Sequence, residues 1–366
     1  MQDYDWLLEI VESIKEIRKQ DEVVTFHFHP MYRAYMGPDS SENIPRIFGA
    51  SRLARWKRYG RKVRKKNSYP KTFHATLPAD SIIFIRPEKK GIIALSAKED
   101  MGLKIFFNDY YTPLLDKEIE ALKVVQHLHF TPLVKGHGTT RNKGYWSLTN
   151  FCANTDALGL KADAEKFLLK NFMKLVMPGM TGFYQSMTPQ KELLSQWLQR
   201  AKERANVHSS KSHLMELIAE TEAESKAFPD FELLTSNIHF DLHAWNILSD
   251  HDQLSIIDWE GGFRGLVFID FFDFSRRFLI SHKWCAFFFK RFLKKKGTYP
   301  RALKESFEGF RKWSLEKFAI SIPAGAERLM ILLYVLERTL ILFEERALDR
   351  LRDRRAFEFM VFKEMK

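Results

Sequence analysis

Only two of the 366 residues are cysteine, Cys152 and Cys285, and they match no metal-ligand spacing, which points to a reducing cytoplasm. Long hydrophobic runs are missing too. The best stretch, Leu329 to Leu336, stops at Glu337-Arg338, well short of the roughly 18 apolar residues of a membrane span, so no spanning segment is expected. The opening residues, Met1-Gln-Asp-Tyr-Asp-Trp6, are acidic and lack the apolar core of a signal peptide. There is no internal repeat, no long low-complexity tract and no glycine-rich phosphate loop. Acids are absent from residues 51–66, where Arg52, Arg55, Lys57, Arg58, Arg61, Lys62, Arg64, Lys65 and Lys66 stand together. Those nine cations set against a net charge of +12 make the basicity of the chain local.

What is present is enough apolar material for a large core, 45% hydrophobic and 14% aromatic, at a length that divides into two lobes and an N-terminal extension. The densest chemistry lies in His239-Phe-Asp241-Leu-His-Ala-Trp-Asn246, followed by Asp258-Trp-Glu260. Phosphoryl transfer asks a protein to orient a nucleophile and to neutralise phosphate charge, and an acid, an amide and a second acid supply the groups for it. Asp241 is the candidate to orient an acceptor hydroxyl, with Asn246 and Asp258 as oxygen ligands for Mg²⁺. Residues 247–249 and 254–257 are β-prone and flank a polar turn at Asp250-His-Asp252, so a hairpin would bring Asn246 and Asp258 to one end. An acidic loop between short strands is also an ordinary turn, and Asp250 and Asp252 are read as such. Five positions, His239, Asp241, Asn246, Asp258 and Glu260, fall in the order of kinase catalytic and metal loops.

On these residues the chain resembles the aminoglycoside phosphotransferase and choline kinase superfamily, and lipopolysaccharide sugar kinases are similar. The family writes His-Gly-Asp where this chain has His239-Phe240-Asp241, and Asp-Trp-Glu or Asp-Phe-Asp where it has Asp258-Trp-Glu260. Gly265-Leu-Val-Phe-Ile-Asp270-Phe-Phe-Asp273 is similar to the segment closing the catalytic loop, which implies that Asp270 is a structural acid bonded to loop backbone. The resemblance implies an α+β, two-lobed protein-kinase-like fold with a small β-rich N-lobe and a larger, mainly helical C-lobe. It also implies ATP and Mg²⁺ as cofactors, with boundaries at residues 1–75 for the extension, 76–150 for the N-lobe and 151–366 for the C-lobe.

Such a site needs a lysine for the phosphates and an acid to hold it. Three strands are read at 81–86, 91–96 and 102–107, with Lys104 inside the third. Its side chain lies opposite Leu103 and Ile105, on a face that is either solvated or the nucleotide cleft. The helix over 114–126, apolar along Leu115, Ile119, Leu122 and Val125, carries Glu118 and Glu120; the resemblance favours Glu118 as the partner. The turn Pro87-Glu-Lys-Lys-Gly91 has a single glycine, which leaves the nucleotide identity open. Tyr145-Trp-Ser-Leu-Thr149-Asn150 reads as a strand entering a linker, and the resemblance makes Asn150 a hinge position where backbone meets the base. Cys152 is read as a packing residue.

Elsewhere, helices are expected near 4–19, 162–176, 189–205, 211–227, 301–315 and 326–346, and a strand at Val24, Phe26 and Phe28. His27, His29 and His74 lack an acid or cysteine partner and read as surface residues. Residues 51–66 interleave Leu53 and Trp56 with cations, which fits adsorption to an anionic membrane at about 1 kcal/mol per cation, or a solvated loop. Residues 281–296 repeat the pattern and read as a buried helix with a solvated end. A pocket for a polycationic aminoglycoside should be acidic, and acids do gather at Glu216–Asp230. The dominant basic patches favour an anionic acceptor, such as the sugar of a lipopolysaccharide or another surface glycan, at the cytoplasmic face of the membrane. A small-molecule kinase for an aminoglycoside or choline, and a pseudokinase or polyanion-docking module, are the alternatives. Nucleic acid is not expected, since no reading motif accompanies the basic run.

Overall fold

The computed structural model describes residues 6–30, 34–48, 70–86, 90–108, 112–126, 128, 130–154, 186–205, 211–243, 246–250, 253–259, 263–272, 274 and 301–344. The chain forms two compact units, one of Met1–Glu165 with His243–Gly262, the other of Lys166–Leu242 with Phe263–Lys366.

In chain order the first unit opens with α1 (Trp6–Arg18), β1 (Val24–His29), β2 (Ala34–Met36), α2 (Asn43–Phe48) and β3 (Thr72–Ala75). It continues with β4 (Ile82–Arg86), β5 (Gly91–Ser96), β6 (Met101–Phe106), α3 (Thr112–Val125), β7 (Val134–Thr139) and β8 (Tyr145–Thr149). All eight strands join one sheet in the order β3-β1-β2-β4-β5-β6-β8-β7, antiparallel throughout. Residues before position 76 therefore supply three strands of the same sheet that holds Lys104. Alternation explains the packing: Ile92 and Ala94 of β5 and Leu103 and Ile105 of β6 turn to one face, where Leu7, Ile10 and Ile14 of α1 cover them. Gly91 answers to packing, because a Cβ there would sit 2.2 Å from the Ile105 carbonyl oxygen. Asp80, buried between β3 and β4, accepts hydrogen bonds from the Ser96 hydroxyl, the Asn43 amide and the Lys98 backbone, and these together hold its carboxyl below the ordinary range against the opposing effect of burial.

The second unit starts with β9 (Ser186–Pro189), α4 (Gln190–Ala205), α5 (Lys211–Ser225) and β10 (Glu232–Ile238). After β10 the chain returns to the first unit for β11 (Ile247–Asp250) and β12 (Gln253–Ile256), a two-stranded hairpin, then completes the second unit with β13 (Phe263–Leu266), α6 (Arg301–Phe318) and α7 (Glu327–Glu344). Here β10 is the middle of a small sheet, β13-β10-β9, while α4, α5 and α7 pack on one another. Its core is aromatic: Phe268 lies in edge contact with Phe307 and Phe310, Phe271 stacks on Phe310, and Phe272 meets Tyr334. The α+β architecture, β-rich in the first unit and mainly helical in the second, matches the expected fold class. No helix among the described residues is long and apolar enough to cross a membrane.

Candidate active site

Lys104 occupies the middle of β6, opposite Ile93 of β5 and Ser147 of β8. With Leu103 and Ile105 fully buried on one face, its side chain must leave by the other, and there it meets α3. The Lys104 ammonium lies 2.7 Å from both carboxylate oxygens of Glu118. Glu118 is 5% exposed, seated beside the buried Leu115 and Ile119, while Glu120 faces solvent; burial distinguishes the two acids where their spacing did not. A third group joins them, the Asp258 carboxylate, 3.5 Å from the same ammonium.

Local pairing puts Asp258 there. Strands β11 and β12 pair with Ile247 opposite Ile256 and Asp250 opposite Gln253, and Ile257 donates its backbone N–H to the Asn246 carbonyl at 2.9 Å. Asn246 and Asp258 therefore flank the open end of the hairpin. Ile256 donates to the Phe130 carbonyl at 2.7 Å, and the buried Trp259 indole donates to the Ile256 carbonyl at 2.9 Å, so both sides of Asp258 are tied down. Asp258 adopts φ +68°, a left-handed conformation that Asp tolerates better than most residues.

The second unit carries the other half of the motif. Strand β10 ends at Ile238, opposite Phe263 of β13, and the chain turns through His239, Phe240 and Asp241. Asp270, fully buried among the phenylalanines, accepts the backbone N–H groups of His239 at 2.8 Å and of Phe240 at 2.7 Å, the loop-bracing role that the resemblance implied. The buried His239 ring accepts the Asp241 N–H through Nδ1 at 3.3 Å. Phe240 has φ +65°, a backbone conformation that favours glycine, the residue of the motif that this segment resembles. A bulky residue there costs about 1–3 kcal/mol of backbone strain, while burying its ring, 6% exposed here, returns about 2 kcal/mol, so the two effects offset.

Asn150 is engaged with the start of β7. Its N–H donates to the Leu133 carbonyl at 3.0 Å and its side-chain oxygen accepts the Leu133 N–H at 2.6 Å. The next amide, Phe151, donates to Asp100 at 2.9 Å, and Lys135 holds the other Asp100 oxygen at 2.8 Å. Asp100, in the β5-β6 turn at φ +47°, is a positioning acid that sequence reasoning passed over; its only signal is an acid in the turn Ala97-Lys-Glu-Asp100. Burial pushes the half-buried Cys152 thiol up to about 11, which makes it unreactive near neutral pH. Among the described residues no cluster of three or more His, Cys, Asp or Glu side chains is arranged to hold a metal; His74 instead shares a 3.0 Å hydrogen bond with Thr25. Glu260, Lys89, the helix expected over 162–176, Cys285 and the basic segments 51–66 and 281–296 lie outside the described residues.

The aminoglycoside phosphotransferase APH(3'')-Id from Streptomyces rimosus shares 16% identity over 68% of this chain and 90% of its own, with a TM-score of 0.38. A choline/ethanolamine kinase family protein from Mesorhizobium loti shares 14% over 75% and 82%, with a TM-score of 0.39. A thermostable mutant of aminoglycoside phosphotransferase APH(4)-Ia, in ternary complex with AMP-PNP and hygromycin B, shares 12% over 78% and 93%, with a TM-score of 0.47. No curated protein matches the sequence. The sequence profile of the phosphotransferase enzyme family matches residues 95–306, more than half of the chain and all of the stretch from Lys104 to Asp270. The chain thus belongs to the phosphotransferase enzyme family and is a kinase.

Proposed function

We propose that this kinase moves the γ-phosphate of ATP, with Mg²⁺, to an alcohol hydroxyl on a sugar of an anionic glycan or glycolipid. Asp241 orients the hydroxyl and takes its proton as the new oxygen–phosphorus bond forms and ADP leaves. Lys104, held by Glu118, meets the nucleotide phosphates as a point charge. Asn246 and Asp258 would hold the metal, and the donor set fits it: an amide oxygen and a carboxylate at one end of a hairpin are the hard ligands magnesium takes. When bound, the ion neutralises charge on the phosphates. The base is assigned to the segment at Asn150, through backbone groups other than the N–H of Asn150 and Phe151, which are already donated.

The observation that carries the reading is the convergence on one ammonium of Glu118 at 2.7 Å and Asp258 at 3.5 Å, from a helix and a loop that lie 140 residues apart in the sequence. For the acceptor, support comes from how the acids of 216–230 are used. Glu220 and Glu224 both pair with Arg328, Glu222 pairs with Lys202 at 3.6 Å, and Asp230 accepts the Lys191 N–H at 3.1 Å. Acids spent on their own neighbours are poor ligands for a polycation. The cations of 51–66 support the same choice and a peripheral position at the cytoplasmic face of the membrane.

Transfer from labelled ATP to a panel of anionic glycans, glycolipids, aminoglycosides and amino alcohols tests the reading. Labelled product is expected with a glycan or glycolipid, in the presence of Mg²⁺, and Asp241→Asn should lower turnover by about a hundredfold or more while nucleotide binding persists. Full activity in Asp241→Asn sinks the mechanism, and transfer to aminoglycosides alone sinks the acceptor class.

A further inference from the structure

Among the described residues, the most apolar helix, α7, carries a carboxyl group, that of Glu337, within its buried run. From Leu329 to Leu336 every residue of α7 is buried and uncharged, and Glu337 follows at 2% exposure. A helix that served packing alone would place another aliphatic residue there, since a buried carboxyl is unfavourable unless it is hydrogen-bonded. Glu337 has such a bond: its Oε2 accepts the N–H of Leu266, the last residue of β13, at 3.3 Å.

That amide begins a short chain of contacts. Leu266 is paired with Thr235 of β10, Val267 donates to the Leu234 carbonyl at 3.0 Å, and Asp270 donates to the Val267 carbonyl at 3.1 Å. Asp270 then holds the backbone of His239 and Phe240, immediately before Asp241. We propose that Glu337 is a positioning residue of the catalytic loop, anchoring the end of β13 so that Asp270 meets the loop amides in register. The proposal rests on the reading of Asp241 as the acid that orients the acceptor.

Two charged groups bear on Glu337: Arg200 of α4, which favours its ionised form, and Asp270, which opposes it. Burial is the largest effect and, with Asp270, pushes the carboxyl up to about 8 despite the Leu266 amide and Arg200. Below that pH the neutral carboxyl leaves Asp270 without a second negative charge beside it. Above it, ionisation sets two carboxylates against each other at the base of the loop.

The test compares Glu337→Gln and Glu337→Met with the intact chain, below the unfolding temperature of each, by kcat and KM for ATP between pH 6.5 and 9.5. Glutamine keeps an acceptor for Leu266, so kcat at pH 7 should stay within about twofold; methionine leaves that amide unpaired, and kcat should fall about tenfold with KM for ATP nearly unchanged. The intact chain should lose kcat as pH rises through about 8, and the glutamine variant should not. Amide exchange at 239–240 should quicken in the methionine variant alone. A folded methionine variant with full kcat and unaltered exchange, or an alkaline decline identical in the glutamine variant and the intact chain, overturns the inference. Should the methionine variant not fold, the glutamine pH profile decides by itself. An inactive Asp241→Asn beside unaffected Glu337 variants leaves the reading of Asp241 standing and removes only this inference.

Discussion

Replacing Lys104 by methionine separates what the Lys104-Glu118 pair does for stability from what the lysine does for the nucleotide. The side chains are 22% and 6% exposed, so the pair belongs with buried ion pairs and not with surface ones, whose loss costs less than about 1 kcal/mol. Methionine has nearly the length of the lysine stem and adds no strain, but it leaves the Glu118 carboxylate without its ammonium. Removing one partner of a buried pair costs about 3–5 kcal/mol, and partial exposure of Lys104 places this case near the lower end. Neutralising the acid as well, in Lys104→Met/Glu118→Gln, removes the stranded charge and should restore most of that loss. Nucleotide affinity should follow another course. If the ammonium meets phosphate oxygens, its charge-assisted bonds are worth about 1.5–3 kcal/mol, so the single variant should bind an unhydrolysable ATP analogue at least about tenfold more weakly, and the double variant should bind no better.

The assay must respect the two compact units, because one unfolding free energy does not describe a chain that need not melt in one step. Hydrogen exchange of β6 peptides across a urea series reports the first unit, and calorimetric titration reports the nucleotide. Affinity that is unchanged in the single variant, or that recovers with stability in the double, would refute the assignment of Lys104 to the phosphates.

Asp258→Ala should abolish Mg²⁺-dependent nucleotide binding, and a titration with the same metal dependence as the intact chain would remove it from the metal site. The Glu337 carboxyl, raised from its ordinary 4.5 to about 8, keeps its proton in the folded chain where the unfolded chain has lost it. Stability should therefore fall with rising pH across that window, by about 1.4 kcal/mol per pH unit, and level off above it. Glu337→Gln should flatten this component, which hydrogen exchange of α7 peptides across a urea series, at pH 5, 6.5 and 8, would reveal as a loss of stability of the second unit in the intact chain relative to the variant. Exchanging the cations of 51–66 for glutamine should weaken binding to anionic vesicles at low salt and leave ATP turnover with a soluble acceptor intact; equal vesicle binding by both chains would make the segment a solvated surface.

Local pattern made some elements legible and tertiary pairing hid others. The β11-β12 hairpin was visible because two β-prone runs flank a polar turn, and the strands β4 to β6 because each alternates and follows its neighbour directly. Strand β10 escaped notice: four consecutive residues, Leu233 to Ser236, are buried, so it shows no alternation, and the strands it pairs with, β9 and β13, are far away in sequence. Strand β7 was hidden by Gly136 and Gly138, which read as breakers, yet both lie under the Trp146 ring, where a Cβ would come within 3.2–3.3 Å of the indole. The pairing of Lys104 with Glu118 was legible as to residue type and order; the resemblance chose Glu118 over Glu120, and the burial of Glu118 in α3 supplies the physical reason. Glu337 registered only as the charge that ends an apolar run; that its carboxyl turns inward depends on β13 and no local pattern reports it.

The matched letters of the motif divide by task in a way that spelling alone conceals. Asp241 and Asp258 are the acids proposed to act, yet each sits at or beside a left-handed residue, Phe240 at φ +65° and Asp258 at φ +68°. Such conformations persist only where neighbouring bonds over-determine them. For Phe240 those bonds come from Asp270; for Asp258, from the Asn246-Ile257 backbone bond and the Trp259 indole that grips Ile256. Asp270 and Trp259 touch no proposed reactant, but they hold the backbone turns on which the acids depend. A motif of this kind encodes two strained turns and their braces along with the reactive groups. That explains why phenylalanine is tolerated at position 240: the brace from Asp270 and the burial of the ring supply what glycine provides by freedom of φ.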